Sequence, residues 1–266
     1  MQNPIEFTID GTIDGGAAHL SERTLTIAAL FGLPIERGAR RVLFEPLTVR
    51  VEVGGVVLIT GPSGAGKSTL VNRIGAALAV RGDVRVVRLE EIALAADRSV
   101  IDCFSGSVDQ AAACLGRAGL AEAHIFLRAP SELSEGQRFR YRLAQFFASE
   151  DDVLIADEFA ATLDRVTARA VAHQLGRFVR GSVRSDRGRA VVVATTHEDL
   201  AEDLRPAVHV WKGLGMRVEV RSTTLNTKDT ESTKDHEDGL NHREHRGHRE
   251  RRRRGGKGGG GGGSRR

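Results

Sequence analysis

The run Gly61-Pro62-Ser63-Gly64-Ala65-Gly66-Lys67-Ser68-Thr69 constrains this chain more than any other feature. Its spacing, glycine, four residues, then Gly-Lys-Ser, matches the pattern of a phosphate-binding loop. The run follows a short apolar stretch, Val56–Thr60, and opens a stretch with helical periodicity, Ser68–Val80, through Leu70, Val71 and Ile74. That context is what the chemistry needs. Glycines let the backbone wrap an anion with its N–H groups pointing inward. The helix N-terminus adds partial positive charge at the same point. In such a loop Lys67 neutralises the β- and γ-phosphates and the Ser68 hydroxyl ligates Mg²⁺.

A second element lies ninety residues downstream of Lys67, in Val153-Leu-Ile-Ala-Asp157-Glu158. A buried strand ending in two carboxylates puts the first, Asp157, near Mg²⁺, directly or through water. Glu158 then polarises the water that attacks the γ-phosphorus, as a general base or a water-orienting group. A hydrophobic run followed by two acids is weak by itself. Coupled to the glycine-rich loop it becomes specific.

Around these elements, short β-branched runs alternate with Ala-, Leu- and Arg-rich stretches, the pattern of an α/β domain with a mainly parallel sheet. The predicted strands are Val49–Val53, Val56–Thr60, Val84–Leu89, Val153–Ala156, Ala190–Thr195, Ala207–Trp211 and Met216–Val220. The predicted helices are Ser68–Val80, Ser107–Ala118, Gly136–Ser149 and Arg165–Val179, with Ser21–Leu30 of undecided type. No apolar run reaches the 18 or so residues that cross a bilayer. Cys103 and Cys114 make neither a disulfide framework nor a zinc cluster, and reduced thiols point to a cytoplasmic protein. The net charge of +4 suggests a nucleic-acid or membrane-surface binder until it is divided. Residues 222–266 hold 12 basic and 7 acidic side chains, whereas 1–221 hold 27 and 28. The basic character belongs to the tail.

The next motif is Leu133-Ser134-Glu135-Gly136-Gln137, with Ser134 standing 23 residues before Asp157. Here the sequence resembles the ATP-binding cassette (ABC) ATPase family, whose signature reads LSGGQ at about this distance before the two acids. Ala161-Thr-Leu-Asp164 resembles the family's D-loop, and Thr195-Thr196-His197 resembles its switch histidine. The resemblance covers roughly residues 40–221. It implies an α/β fold with a P-loop NTPase core, a mainly parallel sheet and a short helical signature subdomain at about 96–149. It also implies ATP and Mg²⁺ as cofactors, with Ser68 and Asp157 at the metal and Glu158 and His197 as the catalytic pair. The nucleotide would be bound by Gly61, Pro62, Ser63, Gly64, Ala65, Gly66, Lys67, Ser68 and Thr69. Ser134, Gly136, Gln137 and Asp164 would come from a second, head-to-tail subunit, giving a dimer, homotypic in the simplest case, around two ATP molecules.

The match has departures. The family places a glutamine after a strand between the glycine-rich loop and the signature, yet Arg85–Asp102 contains none; Glu90 or Glu91 is the candidate substitute. Lys67 and Ser134 are only 67 residues apart, a trimmed interval, and Glu135 stands where the family has glycine. The missing glutamine and short interval belong to the surface that docks membrane subunits. They favour a soluble, stand-alone switch over the alternative, the ATP-binding subunit of a transporter with a separate permease. The latter would sit at the inner face of the membrane. For adenine stacking, Phe31 and Phe44 are candidates, with core packing the alternative for both. Arg138, Arg140 and Arg142 read as the solvated face of the signature helix.

After Val220 the pattern stops, with only Leu225 and Leu240 aliphatic, so 222–266 is expected to be a disordered C-terminal tail. Its repeat at His242–Arg254 and the tract Gly258–Gly263 suit either an unused extension or a basic arm for nucleic acid, the weakest of the three roles. His236, His242, His245 and His248 lack a second ligand set, and no metal site is assigned to them.

Overall fold

A computed structural model describes residues 4–14, 21–32, 40–184 and 188–223, all within one compact unit. Of the tail, residues 224–266, with the repeat and the four histidines, lie outside the described residues, whereas Ser222 ends the last strand. In chain order the elements are β1 (Ile5–Ile9), β2 (Thr12–Asp14), α1 (Glu22–Phe31), β3 (Arg40–Val42), β4 (Leu47–Val51), β5 (Val56–Thr60) and α2 (Lys67–Val80). They continue with β6 (Val86–Arg88), α3 (Val108–Arg117), α4 (Ala123–Phe126), α5 (Glu135–Ala148), β7 (Val153–Ala156) and α6 (Arg165–Gly181). The last are β8 (Ala190–Ala194), α7 (Leu200–Leu204), β9 (Val208–Lys212) and β10 (Val218–Ser222).

Six strands form one sheet in the order β10-β9-β5-β8-β7-β6. All neighbours in it are parallel except the β9–β10 hairpin at the edge. Every residue of β5, β7 and β8 is buried, which is why these strands read as apolar runs, interrupted only by Thr60 at the end of β5. Their alternating side chains feed two separate cores. On one face, Val57, Ile59, Ile155 and Val192 pack with Leu70, Val71, Ile74 and Leu78 of α2, and with Ile5, Val49 and Val51 of the small antiparallel β1–β4 sheet. On the other, Leu58, Leu154, Ala156 and Val193 pack with α3, α5 and α6 through Leu115, Phe146, Val171 and Leu175. The helix opened by the glycine-rich loop and the helix opened by the signature therefore lie on opposite faces of the sheet.

Several boundaries differ from expectation for local reasons. β4 ends at Val51, because Gly55 N donates to Glu52 O (3.0 Å) and turns the chain. β6 is cut to three residues, since Leu89–Glu91 tighten into a 3-10 turn. Residues 21–32 do form a helix, with Ser21 as N-cap and Gly32 left-handed at its end. Only Ala28 of that helix is buried, and Phe31 is 72% exposed. β2 and β3 pair antiparallel, and Arg73 of α2 donates to Thr12 O (2.6 Å), fastening β2 to that helix.

The stretch 96–149 is built from helices and 3-10 turns alone. Ser107 and Gln110 form a reciprocal capping box at the start of α3, as Ser134 and Gln137 do at α5. The arginines of α5 are not its solvated face. Arg138 donates to Ser131 O (2.6 Å), Arg140 to Gly119 O (2.6 Å) and Arg142 to Ile92 O (3.0 Å). Each guanidinium satisfies a loop carbonyl and staples the helix to its surroundings. Phe44 is fully buried, its backbone and ring tight against Gly11, where a Cβ would collide with the Phe44 carbonyl. That makes it a core residue.

Candidate functional site

Three segments converge because three strands are adjacent. β8 lies between β5 and β7, and all three run the same way. Ile59 is level with Ala194, and Ala156 with Val193. The residues that follow each strand, Gly61–Thr69, Asp157–Glu158 and Thr195–His197, thus emerge at one edge of the sheet. This is the carboxyl end, where open α/β sheets bind ligands.

The loop after β5 uses its glycines in two ways. Gly61 (φ 139°) lies against the backbone of Lys212, and a Cβ there would collide with the Lys212 carbonyl oxygen. Gly64 (φ 74°) and Gly66 (φ 97°) are left-handed, and Gly64 has open space where a side chain would project. Lys67 Nζ donates to the carbonyls of Gly61 (2.9 Å) and Pro62 (2.8 Å), folding the side chain back across the loop. Gly66 is the N-cap of α2; no side chain caps this terminus and no acid occupies its first turn. A helix start with open N–H groups, a lysine beside it and a concave glycine backbone is suited to a polyanion. Pro62, Ser63, Gly64 and Ser68 are exposed, whereas Ala65 is buried beneath the loop, and Thr69 is half-buried. The oxygen donors Ser68 and Asp157 suit a hard divalent ion.

Beyond β7 the chain makes a constrained turn. Glu158 (φ 49°) and Ala160 (φ 60°) are left-handed without being glycine, a conformation that side chains disfavour. The turn is held by Glu158 N donating to Asp157 Oδ1 (3.0 Å) and Ala161 N donating to Glu158 O (3.0 Å). Phe159 anchors it. Its N–H donates to Ala194 O (2.7 Å) at the end of β8, and its fully buried ring meets Phe139 of α5 edge-on at 5.4 Å. The Glu158 side chain is left pointing out, exposed. His197 is half-buried, and its N–H donates to Thr195 Oγ1 (3.2 Å).

The signature forms a second cluster. Ser134 is the N-cap of α5; its Oγ accepts from Gln137 N (3.3 Å) and Gln137 Oε1 accepts from Ser134 N (3.0 Å). Glu135, the departure from the family pattern, falls in the first turn, where a carboxylate favours the helix dipole. Gly136 packs against the segment before α6, and a Cβ there would sit 3.1 Å from Leu163 Cδ2 and 3.3 Å from Thr162 O. Asp164 caps α6 by accepting from Thr167 N (3.0 Å), and the Thr167 hydrogen bonds hold its carboxyl below the ordinary value of 3.8. Ser134, Gly136, Gln137 and Asp164 therefore belong together, on the face of the sheet opposite α2. Glu90 and Glu91 lie in the turn after β6, each 3.7–3.9 Å from Arg88, which also donates to Asn72 of α2 (2.8 Å).

Two residues of this region escape sequence reasoning. Phe159 was hidden because a lone aromatic after an acid pair carries no pattern. Lys212 is fully buried beside the glycine-rich loop. The alternation Val208-His-Val210-Trp-Lys212 was the signal, since it puts the lysine on the inward face with the two valines. Its neighbour Trp211 donates from Nε1 to Glu198 Oε1 (2.9 Å), one residue beyond His197, and lies under the Arg217 guanidinium at 5.1 Å.

No family model matches the chain. The lipoprotein-releasing system ATP-binding protein LolD of Paramagnetospirillum magneticum is 29% identical over 204 residues, covering 64% of this chain and 87% of that protein. The cell division ATP-binding protein FtsE of Mycobacterium tuberculosis is 26% identical over 208 residues, covering 65% and 86%. A solved ATP-binding cassette, dimeric in a post-hydrolysis state with ADP and Pi, shares the fold at a TM-score of 0.53 and 19% identity, over 81% of this chain and 98% of that one. With five motifs in that family's order, relatives matched over most of their own length, and the fold of a solved cassette, the chain is similar to the ATP-binding cassette ATPases in sequence and in fold.

Proposed function

We propose that this chain is the ATP-binding subunit of an ABC complex, dimerising around two ATP molecules and working with a separate membrane permease. It is a Mg-ATP-dependent ATPase, and the observation that carries the reading is the convergence of Gly61–Thr69, Asp157–Glu158 and His197 at one sheet edge. Lys67 leaves its two carbonyls to meet the β- and γ-phosphates, while the loop N–H groups wrap them. Ser68 and Asp157 hold Mg²⁺, which supplies charge neutralisation at the phosphate oxygens. Glu158, exposed on its constrained turn, orients the attacking water and takes its proton. His197 contacts the γ-phosphate. Since α2 and α5 lie on opposite faces, the second subunit supplies Ser134, the Gly136 N–H, Gln137 and Asp164 to each nucleotide.

LolD and FtsE, ATP-binding proteins of a lipoprotein-releasing system and of cell division, support the permease-coupled role better than a stand-alone switch. Among the described residues no helix is long and apolar enough to cross a membrane. The subunit would then act at the cytoplasmic face of that membrane, with residues 96–149 as its trimmed helical subdomain. The switch reading retains two supports, the absence of glutamine from Arg85–Asp102 and the short interval between Lys67 and Ser134.

The test uses Lys67→Ala and Glu158→Gln. Lys67→Ala is expected to lose ATP binding by about 100-fold or more. Glu158→Gln should bind ATP, accumulate as a dimer and hydrolyse roughly 10²–10⁴-fold more slowly. Wild-type turnover by Glu158→Gln would remove it from catalysis. Recovery of the tagged protein from detergent extracts with a transmembrane partner supports the permease role, and recovery alone from cytosol, with full ATPase activity, supports the switch.

A further inference from the structure

We propose that Lys212 is a positioning residue of the nucleotide site, a second cation buried beneath the phosphate loop that strengthens binding in proportion to phosphate charge. The inference rests on the nucleotide reading above and extends it to a residue outside the recognised motifs.

Lys212 ends β9, level with Val218 of β10 and beside Trp211, which pairs with Thr60 at the end of β5. Its side chain is wholly buried, and Nζ donates to Gly213 O (2.7 Å) and Gly215 O (2.6 Å). These bonds close the turn between β9 and β10 over the ammonium. The same residue touches the phosphate loop twice. Its carbonyl oxygen occupies the space a Cβ on Gly61 would need, and its Cε lies 3.9 Å from where a Cβ on Gly66 would stand. Gly66 is the N-cap of α2. The ammonium is thus lodged close to the positive end of a helix that also carries Lys67.

This arrangement is costly without an anion. Two carbonyl dipoles partly satisfy the ammonium, but a buried cation without a carboxylate loses much of its hydration energy. Burial holds its pKa below the ordinary lysine value, and no acidic group among the described residues raises it again. Lys67 and the α2 terminus add like charge nearby. A bound polyphosphate is the one partner the geometry offers to all three. The Lys212 side chain is wholly buried and held by two turn carbonyls, so in this proposal its charge acts from below while Lys67 moves. Its contribution should therefore scale with the phosphate charge above it.

The full chain is compared as wild type, Lys212→Gln, Lys212→Met and Lys212→Arg, with Lys67→Ala as control. Dissociation constants for ATP, ADP and AMP are measured together with kcat, KM and the Tm without nucleotide. Gln retains donors for the two turn carbonyls and removes the charge. The expected result is a Tm close to wild type with ATP bound roughly tenfold more weakly. ADP should lose less and AMP about nothing, with KM rising more than kcat falls. Lys212→Arg should recover most of the ATP affinity, and Lys212→Met should lose both Tm and affinity. If Lys212→Met does not fold, the Gln and Arg variants carry the comparison. Wild-type ATP affinity in Lys212→Gln, or an equal loss for ATP and AMP, overturns the role of the charge. Failure of the nucleotide reading looks different, since wild type would then not bind ATP or Lys67→Ala would bind it unchanged.

Discussion

Ser134 carries two jobs whose consequences can be separated. Its hydroxyl oxygen caps α5 by accepting from Gln137 N, and the proposed sandwich asks the same hydroxyl to donate its hydrogen to the partner's γ-phosphate. A hydroxyl can do both, because it has one hydrogen and two lone pairs. Ser134→Ala removes both. Loss of the cap costs about 1 kcal/mol, and in a unit of this size that lowers Tm by roughly 2–4 °C. Ser134→Asp keeps an acceptor for Gln137 N, and a carboxylate at a helix N-terminus is at least as stabilising as a hydroxyl. Its Tm without nucleotide should equal or slightly exceed wild type. In the dimer, however, the carboxylate faces a phosphate oxygen. Two like charges about 4 Å apart at an effective dielectric near 20 repel by about 4 kcal/mol, once at each of two sites. Thermal unfolding without nucleotide reads the cap. Light scattering after size exclusion with ATP, in the Glu158→Gln background, reads the dimer. Ser134→Ala should fall in both, and Ser134→Asp in the second alone. A Ser134→Asp protein that dimerises as readily as its parent would refute the placement of Ser134 against a phosphate.

Other outcomes follow from single residues. Phe146, fully buried and packed edge-on against Phe178 at 6.0 Å, should cost about 3–5 kcal/mol on truncation to Ala, read by denaturant unfolding. Gly61→Ala forces a Cβ into the Lys212 carbonyl at a φ of 139°, and the loop should lose nucleotide affinity in equilibrium binding well before the sheet loses stability. Asp164 has a folded pKa depressed by its Thr167 hydrogen bonds, so its contribution is complete above the unfolded value of 3.8 and disappears as pH falls through the folded one. Asp164→Asn keeps the cap without the charge, and should flatten that part of the acid limb in Tm measured from pH 5 to 2.

The buried centre of the fold was legible because burial writes itself into the chain. β5, β7 and β8 are covered on both faces, so every residue but Thr60 is apolar and their ends can be read to within a residue. The starts of the long helices were legible to within a residue, and the structure adds that Ser107, Ser134 and Asp164 cap three of them. Half-covered elements were not. β1 has the burial order buried, exposed, half-buried, exposed, buried, and its register with β4, Ile5 opposite Val51, depends on residues about forty positions away. α4 and α7 have four and five residues, too few for a helical period to appear. At the site, motifs gave the order of the segments along the chain. What they left open was which parts share a face, and that is decided by β8 passing between β5 and β7. The arginines of α5 read as solvated in the sequence because their partners, the carbonyls of Ser131, Gly119 and Ile92, are backbone groups that no side-chain pattern announces.

The chain contains a single tryptophan, Trp211, tied to Glu198 next to His197 and joined by the backbone to Lys212 under the phosphate loop. It is half-buried, with a guanidinium stacked on its ring. The protein thus carries its own optical reporter at the seam between loop and histidine, against a background of one tyrosine. A shift in its emission as nucleotide is added would time the arrival of phosphate without a dye, a label or a second mutation.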